Sequence, residues 1–582
     1  MTMQAARAGS DADAGRAARA GRAARGTNDG LPALCRGRHR FTDPALAKIA
    51  EDRGLASAWA EGFRRHGCEV VHRVEGDFAV ALTDAQGRRF LAVDRFAIHP
   101  LCYAMRDGGL AYAERADALA EDREAIDRQA VVDYLYFHMI PAPRTIWRGV
   151  SRLPAGHYAL ADGSDVTVAR WWKPQFVEDA AAPLAMLAAE FRDATRKAVA
   201  KQIDGDKIGC FLSGGTDSSS VAGLVGEITG KPARTYSIGF SASGYDEMEY
   251  ARLAAHHFRC DHHELYVTPH DVVDAIPRVA AHYDQPFGNS SVVPAYYCAK
   301  LARDTGVDVM LAGDGGDELF GGNSRYARQR IFDAYRHVPP FLRRRVLEPA
   351  LLGMPGVRRL PGVRKAASYV EQARVPMPDR MQMGNLAMHV GFAELLAPEF
   401  LAGLDTGEPG RQQRAVYGEI PSGSLINRML AYDWRFTLAD NDLPKVIGAT
   451  AVAGVDVRFP FLDDPVVDLS LRLPPDYKLR GLELRWFFKR ASRGFLPDAI
   501  LRKKKHGFGL PFGVWLTGHA PLQELAFESV RALGRRGIVR PDFVERLLGR
   551  YVHEHPAYYG ELVFIFTMLE QWLAAQRLSP AP

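Results

Sequence analysis

At 582 residues the chain exceeds what one ordinary hydrophobic core accommodates, so two or more domains are expected, and its 47% hydrophobic and 25% charged residues are those of a globular protein. No stretch approaches the roughly 18 uncharged apolar residues of a membrane span, and a formal charge of +5 spread over this length does not make the concentrated basic face that nucleic acid requires. Six scattered cysteines without a C-x-x-C pair argue against a zinc site or a disulfide framework and fit a reducing cytoplasm.

Residues 1–30 are rich in Ala, Arg and Gly but interrupted by Asp11, Asp13 and Asp29, with no apolar run to follow, which reads as a disordered arm. An organelle transit peptide or a start codon placed too early are the weaker alternatives. From Leu31 to about Lys173 short apolar runs alternate with turn residues, as in Gly76-Asp77-Phe78-Ala79-Val80-Ala81-Leu82 and Phe90-Leu91-Ala92-Val93-Asp94, predicting paired strands and a sheet-rich first domain over 31–177. Little periodicity remains between Glu178 and Pro183. After it, Leu184, Leu187 and Phe191 share one face of a helix that opens a second domain over 184–582.

In that domain strands and helices alternate: Lys207 to Leu212 and a helix from Ser218, Arg234 to Phe240 and a helix near Glu247, a helix around Tyr296 to Arg303 and then Asp308 to Leu311. Repeated βαβ units imply an α/β fold with a parallel sheet whose ligands bind at the carboxyl ends of the strands. Residues 328 to 425 are helical in pattern and basic, and read as a solvated helical face in preference to a peptide-binding surface. His262 and His263 beside Glu264 point to opposite faces of a strand, so a surface pair is expected rather than a metal pair. Val563 to Trp572 reads as a helix packed on the core.

Two segments carry the chemistry. Phe211-Leu212-Ser213-Gly214-Gly215-Thr216-Asp217-Ser218 lies between a strand and a helix, where two glycines let backbone N–H groups close on an anion and the helix N-terminus adds partial positive charge. Thr216 and Asp217 stand where a Walker loop would carry Lys, so an ordinary P-loop is excluded. Asp217 suits a magnesium ion, which takes few carboxylates alongside phosphate oxygens. The plainer alternative is a Gly-rich turn with Ser218 as N-cap. A second cluster, Gly313-Asp314-Gly315-Gly316-Asp317-Glu318, again follows an apolar strand; three acids this close repel one another, and a bound cation would relieve them. On its own this segment is equally readable as an exposed acidic turn.

Ser213 to Ser218, Ser237-Ile238-Gly239-Phe240, Gly313 to Glu318, Asp456-Val457-Arg458-Phe459-Pro460-Phe461-Leu462-Asp463 and Lys505-His506-Gly507-Phe508 occur in the order seen in asparagine synthetases, and Gly76 to Ala79 with Asp94-Arg95 and Pro100-Leu101 look like that family's glutaminase domain. Nearly the whole chain after residue 31 resembles the family. The resemblance implies an N-terminal Ntn-hydrolase-like, glutaminase-like α+β sandwich followed by a PP-loop, adenine-nucleotide α-hydrolase-like parallel-sheet domain with helical additions. It further implies ATP bound by Leu212, Ser213, Gly214, Gly215, Thr216, Asp217 and Ser218, with Ile238 and Gly313 bordering the nucleotide. Mg²⁺ falls to Asp217 and Asp317, charge stabilisation to Lys505, and the general base to Asp314 with Asp433 as partner.

Departures narrow the reading. The chain begins Met1-Thr2-Met3, where a working glutaminase needs an N-terminal Cys; Cys35 lacks the family's flanking residues, and the Arg-Gly-Pro-Asp and Asn-Gly-Glu glutamine-binding segments are missing. A degenerate glutaminase domain joined to an intact adenylating domain resembles β-lactam synthetases and lasso-peptide cyclases. The former use a tyrosine paired with a glutamate as base, whereas here the position looks like Asp314, and His282-Tyr283-Asp284-Gln285-Pro286-Phe287-Gly288-Asn289-Ser290-Ser291 is similar to the cyclases. The resemblance therefore implies a cytoplasmic, AMP-forming macrolactam synthetase acting on a precursor peptide alongside a leader-peptide protease, with neither nucleic acid nor membrane as partner. Its competitors are an ammonia-dependent asparagine synthetase, a β-lactam-synthetase-like ligase and an inactive partner-binding homologue.

Overall fold

The computed structural model describes residues 34–121, 126–178, 182–352, 361–503 and 509–578, so the arm expected at 1–30 lies outside the described residues. Two compact units are formed, one from residues up to Ala130 with Ile140–Lys173, the other from Val131–Met139 with Pro174 onward. The crossing thus comes at Lys173, ahead of the aperiodic stretch, and a short internal segment of the first half packs with the second.

The first unit is antiparallel. Its five-stranded sheet runs in the order Leu34–Arg36, Ala79–Thr83, Arg89–Val93, His157–Asp162, Asp165–Arg170, and a three-stranded sheet in the order Gly109–Ala113, Cys102–Arg106, Val150–Arg152. Strand alternation explains why both faces of the larger sheet are apolar. Ala79, Ala81, Leu91 and Val93 pack with Leu101 and Leu110, while Val80, Leu82, Phe90 and Ala92 lie under Trp59 and Phe63 of the helix Leu55–His66. The run expected from Gly76 to Leu82 breaks in two, Val74–Gly76 and Ala79–Thr83. Gly76 has a φ of +105° and lies so close to the neighbouring chain that an added Cβ would sit 3.0 Å from the Cα of His39, so it turns the backbone instead of continuing the strand.

In the second unit five strands form an all-parallel sheet in the order Asp261–Val267, Arg234–Phe240, Ile208–Phe211, Val309–Leu311, Asp456–Arg458. The chain enters at the middle strand, fills one side and then crosses to the other. That reversal lies between Ile208–Phe211 and Val309–Leu311, and open α/β sheets bind ligands beyond the carboxyl ends at such a point. The helices Thr216–Thr229, Met248–Phe258 and Val292–Asp304 match the predicted alternation. The C-terminal helix Pro556–Gln576 is buried along most of its length, Val563 to Phe566 at 0% exposure, as the core reading expected. Among the described residues no helix is long and apolar enough to cross a membrane.

The basic stretch from 328 to 425 is helical, with Pro361–Arg374 and Glu408–Gly418 as its longer pieces. It is more than a solvated face: Phe332, Tyr335, Val370 and Ala373 form a core of their own, and Arg380 is only 4% exposed.

Candidate active site

The turn after Ile208–Phe211 is folded on itself by serine hydroxyls. Ser213 N donates to Ser218 Oγ at 3.1 Å, the Ser213 and Ser218 hydroxyls lie 3.1 Å apart, and Gly215 N donates to Ser213 Oγ at 3.4 Å. Gly214 has a φ of +65°, and an added Cβ would come within 2.5 Å of Ala251 N, so both its conformation and its surroundings demand glycine. Gly215 then caps the helix Thr216–Thr229, whose positive end faces the turn. The neighbouring strand holds the turn in place: Leu212 N donates to the Tyr236 carbonyl at 2.9 Å, Ser237 Oγ donates to that of Leu212, and Ile238 is buried one residue further on.

The turn after Val309–Leu311 packs directly against this one. A Cβ on Gly313 would approach Ser218 N at 2.8 Å and Asp217 Cβ at 3.1 Å, and one on Gly316 would approach Asp217 Cγ at 2.5 Å. The two motifs, about a hundred residues apart, are therefore in contact because two glycines leave room for Asp217. Here the structure brings together Leu212 to Ser218, Gly313 and Asp317 of the expected set.

Arg485, which nothing in the sequence pattern singled out, fills the seam. Its guanidinium pairs with Asp217 Oδ2 at 2.6 Å and with Asp317, and donates to Asp217 Oδ1 at 3.0 Å and to Thr216 Oγ1. All three charged side chains are mostly buried, so the shared cation relieves two carboxylates that would otherwise repel. Arg485 also holds a left-handed backbone, φ +55°, at the start of the helix Trp486–Ala491 while its N–H donates to the Gly321 carbonyl at 3.1 Å. An isolated charged residue before an aromatic helix carries no recognisable signal; only its unusual φ marks it afterwards.

Among the described residues no three His, Cys, Asp or Glu side chains converge to hold a metal. Asp217 and Asp317, drawn onto one cation, fit magnesium nonetheless, which takes one or two carboxylates and completes its shell with phosphate oxygens and water. His262 and His263 do not enter: His262 Nδ1 bonds Thr235 Oγ1 at 2.9 Å, and the His263 ring stacks on Tyr236 at 5.0 Å.

Asp314 behaves differently from its neighbours. Burial pushes its carboxyl up to about 6; Lys445 draws it down, while the charges of Asp442 and Asp217 push it up. Lys445 in turn donates to Asp442 Oδ1 at 2.7 Å. Asp433, the expected partner, is fully buried and engaged elsewhere: it accepts from Tyr326 Oη at 2.5 Å and from Thr437 Oγ1 at 3.2 Å, and pairs with Arg325. The charged groups at Asp314 are thus Lys445 and Asp442, two positions the sequence did not mark, and Asp433 belongs to a separate cluster. Lys505 lies outside the described residues. Two positions before it, Lys503 Nζ donates to the carbonyls of Ser213 at 3.3 Å and Gly214 at 3.5 Å, pairs with Glu247 at 3.3 Å and sits 4.5 Å over the Tyr250 ring.

In the first unit Cys35 sits inside the strand Leu34–Arg36, paired with Val80. Burial raises its thiol to about 11, and burial likewise lowers the adjacent His39, 4.0 Å away, to about 4. A neutral imidazole beside a protonated thiol supplies no thiolate.

Compared with known proteins, residues 190–574 match the asparagine synthase family and residues 59–172 the glutamine amidotransferase domain. The chain is similar to asparagine synthetase [glutamine-hydrolyzing] 1 of Bacillus subtilis, 26% identical over 492 residues, covering 84% of this chain and 75% of that protein. It is similar also to a putative asparagine synthetase [glutamine-hydrolyzing] of Mycobacterium bovis, 30% identical over 519 residues, covering 86% of this chain and 76% of that one. A third similarity, to putative asparagine synthetase [glutamine-hydrolyzing] 2 of Methanocaldococcus jannaschii, is 30% over 296 residues and covers 48% of this chain and 56% of that protein.

Proposed function

The chain belongs to the asparagine synthase family, and from that premise we propose that it closes a macrolactam in a ribosomal precursor peptide, joining an Asp or Glu side chain to the peptide's N-terminal amine. The coarser activity, asparagine synthetase-like ATP-dependent amide formation, is that of the family. The observation that supports the finer reading is Cys35: inside a strand, with its thiol raised to about 11 by burial, it is a poor nucleophile for releasing ammonia from glutamine, which leaves an amine on the substrate or free ammonium as the nitrogen source.

A side-chain carboxylate oxygen attacks the α-phosphorus of ATP; the bond to the bridging oxygen breaks and pyrophosphate leaves, giving an acyl adenylate. The amine nitrogen then attacks the acyl carbon, the carbon–oxygen bond to AMP breaks and the amide forms. The glycine turn binds the phosphates through its backbone N–H groups and the helix N-terminus. Asp217 and Asp317 would hold magnesium, which supplies charge neutralisation at the phosphate oxygens. Lys503 stiffens the turn through two carbonyls, and Lys505 carries the charge-stabilising role by the family's pattern. Asp314, ionised above about pH 6, takes the proton of an amine whose ordinary pKa of about 7.7–8.0 keeps it partly protonated. One pocket holding both peptide groups supplies the entropic advantage of ring closure.

The test offers the protein, with ATP and magnesium, either a linear peptide bearing a free N-terminus and an internal Glu or Asp, or free aspartate with ammonium. Loss of one water from the peptide with stoichiometric AMP is the expected result. Rapid asparagine formation without peptide cyclisation would replace this reading by ammonia-dependent asparagine synthesis, and no AMP with any acceptor by an inactive homologue.

A further inference from the structure

Away from the nucleotide turns, the helical region between Ser324 and Leu430 holds a cavity of about 620 Å³ lined, among the described residues, by six arginines, Arg336, Arg343, Arg344, Arg374, Arg380 and Arg428, against two acids, Asp333 and Glu348. Both acids are already engaged, Asp333 with Arg336 at 3.2 Å and Glu348 with Arg374 at 3.5 Å. Two of the remaining guanidiniums lie over aromatic rings, Arg343 over Tyr335 at 5.5 Å and Arg428 over Tyr417 at 4.1 Å, and Arg380 Nε donates to Gln329 Oε1 at 2.6 Å. Six guanidiniums against two carboxylates leave the cavity with an excess of positive charge, which suits an anion that accepts from several guanidiniums at once.

The shape of the site decides the class of anion. A second cavity of about 350 Å³ shares Asp333 and Leu425 with the first and continues between the rim residues Arg330, His337 and Asp476 to an apolar floor of Ile426, Met429, Pro475 and Leu479. A phosphate compound would fill only the basic part. An extended peptide sets acidic side chains among the arginines and apolar ones against the second wall, recognition by an Arg cluster with an adjoining apolar pocket. We propose that this groove binds an acidic-then-apolar segment of the substrate peptide, holding the chain while its reactive ends meet at the nucleotide site. The identity of the peptide as substrate rests on the reading of the enzyme given above.

The test uses the full chain and the fluorescence anisotropy of a short labelled peptide of glutamates followed by leucines, against its twin with glutamine for glutamate and against tripolyphosphate. The acidic peptide is expected to bind at least ~10-fold tighter than the twin, an advantage that fades with rising salt because it is ionic. In the double variant Arg343→Glu, Arg344→Glu that preference should vanish while the affinity for a nonhydrolysable ATP analogue stays the same. Equal binding of the two peptides, a preference that survives the double reversal, or displacement by tripolyphosphate with no peptide preference would each overturn the proposal. Should the variant misfold and lose the nucleotide as well, the salt series on the unaltered protein decides: a salt-insensitive preference contradicts the groove. Cyclisation of a peptide without any acidic preference removes the groove and leaves the enzyme reading; the preference in a protein that cyclises nothing removes the enzyme reading alone.

Discussion

Asp217, Asp317 and Arg485 form a buried triad in which one guanidinium does the neutralising that a metal nucleotide would share. Removing it leaves two mostly buried carboxylates facing one another, and breaking such pairs costs about 3–5 kcal/mol. Arg485→Met should therefore lower the melting temperature, and magnesium with a nonhydrolysable ATP analogue should restore more of it in the variant than in the unaltered protein; equal ligand-induced shifts would contradict the account. Asp314 carries a pH prediction. Its carboxyl is raised to about 6, so it is a proton-accepting base only above that value, and amide formation should climb through pH ~6 as it ionises. Between the ordinary carboxylate range and about 6 the folded state keeps a proton that the unfolded chain has lost, so this residue's contribution to stability falls as pH rises across that window. Asp314→Asn should abolish the ascending limb and slow the amide step at least ~10²-fold while pyrophosphate release persists. Asp217 and Asp317 were legible because acids flanked by glycine after an apolar strand are a recognisable pattern. Arg485, Lys445 and Asp442 were not, since a charged residue brought in from elsewhere in the chain has no local signature.

Among the elements, the contact between the two turns depends on small residues. A Cβ at Gly316 would lie 2.5 Å from Asp217 Cγ, so Gly316→Ala must displace that carboxylate. Overpacking of this kind costs about 1–3 kcal/mol, and because it falls on the ligand-holding geometry, nucleotide affinity should drop about tenfold or more with little loss of secondary structure. Circular dichroism beside nucleotide titration checks this; unchanged affinity would mean the turns do not share a ligand. The strand-turn-helix order around residues 208–229 and the strand and glycine turn around 309–316 could be read directly, because apolar runs end at glycine clusters, whereas the five-residue helix Gly316–Phe320 was too short to show a period. Asp456–Arg458 could not, since three residues give no periodicity and the strand forms only by pairing with Val309–Leu311. The helix Arg128–Phe137, whose residues from Val131 onward pack with the second unit, was missed for a related reason: its Tyr134 hydroxyl donates to the Ile565 carbonyl 431 residues away, a partner no window of sequence contains.

For the molecule as a whole, the first unit has the antiparallel sheets of a glutamine amidotransferase domain, and its Cys35 lies inside a strand with a thiol raised by burial. Cys35→Ser should leave amide formation from an amine-bearing substrate unchanged within about twofold, and glutamine should not serve as a nitrogen source in either protein; measurable glutamate release would contradict this. The division into a sheet-rich first half and an alternating second half was visible in the residue pattern, and the basic stretch from 328 to 425 was visible as charge. What the pattern could not show is that several of those arginines line one cavity, with Arg380 buried and Arg343 and Arg428 half-buried over aromatic rings, because that convergence depends on helices that meet only in the fold.

The contact between the glycine turn and the acidic turn underlies every step above. Isothermal titration of a nonhydrolysable ATP analogue, with and without magnesium, tests it most directly. The account predicts one magnesium-dependent site per chain, weakened at least ~10-fold in both Asp217→Asn and Asp317→Asn while each variant stays folded; binding indifferent to magnesium, or of equal strength in all three proteins, would contradict it.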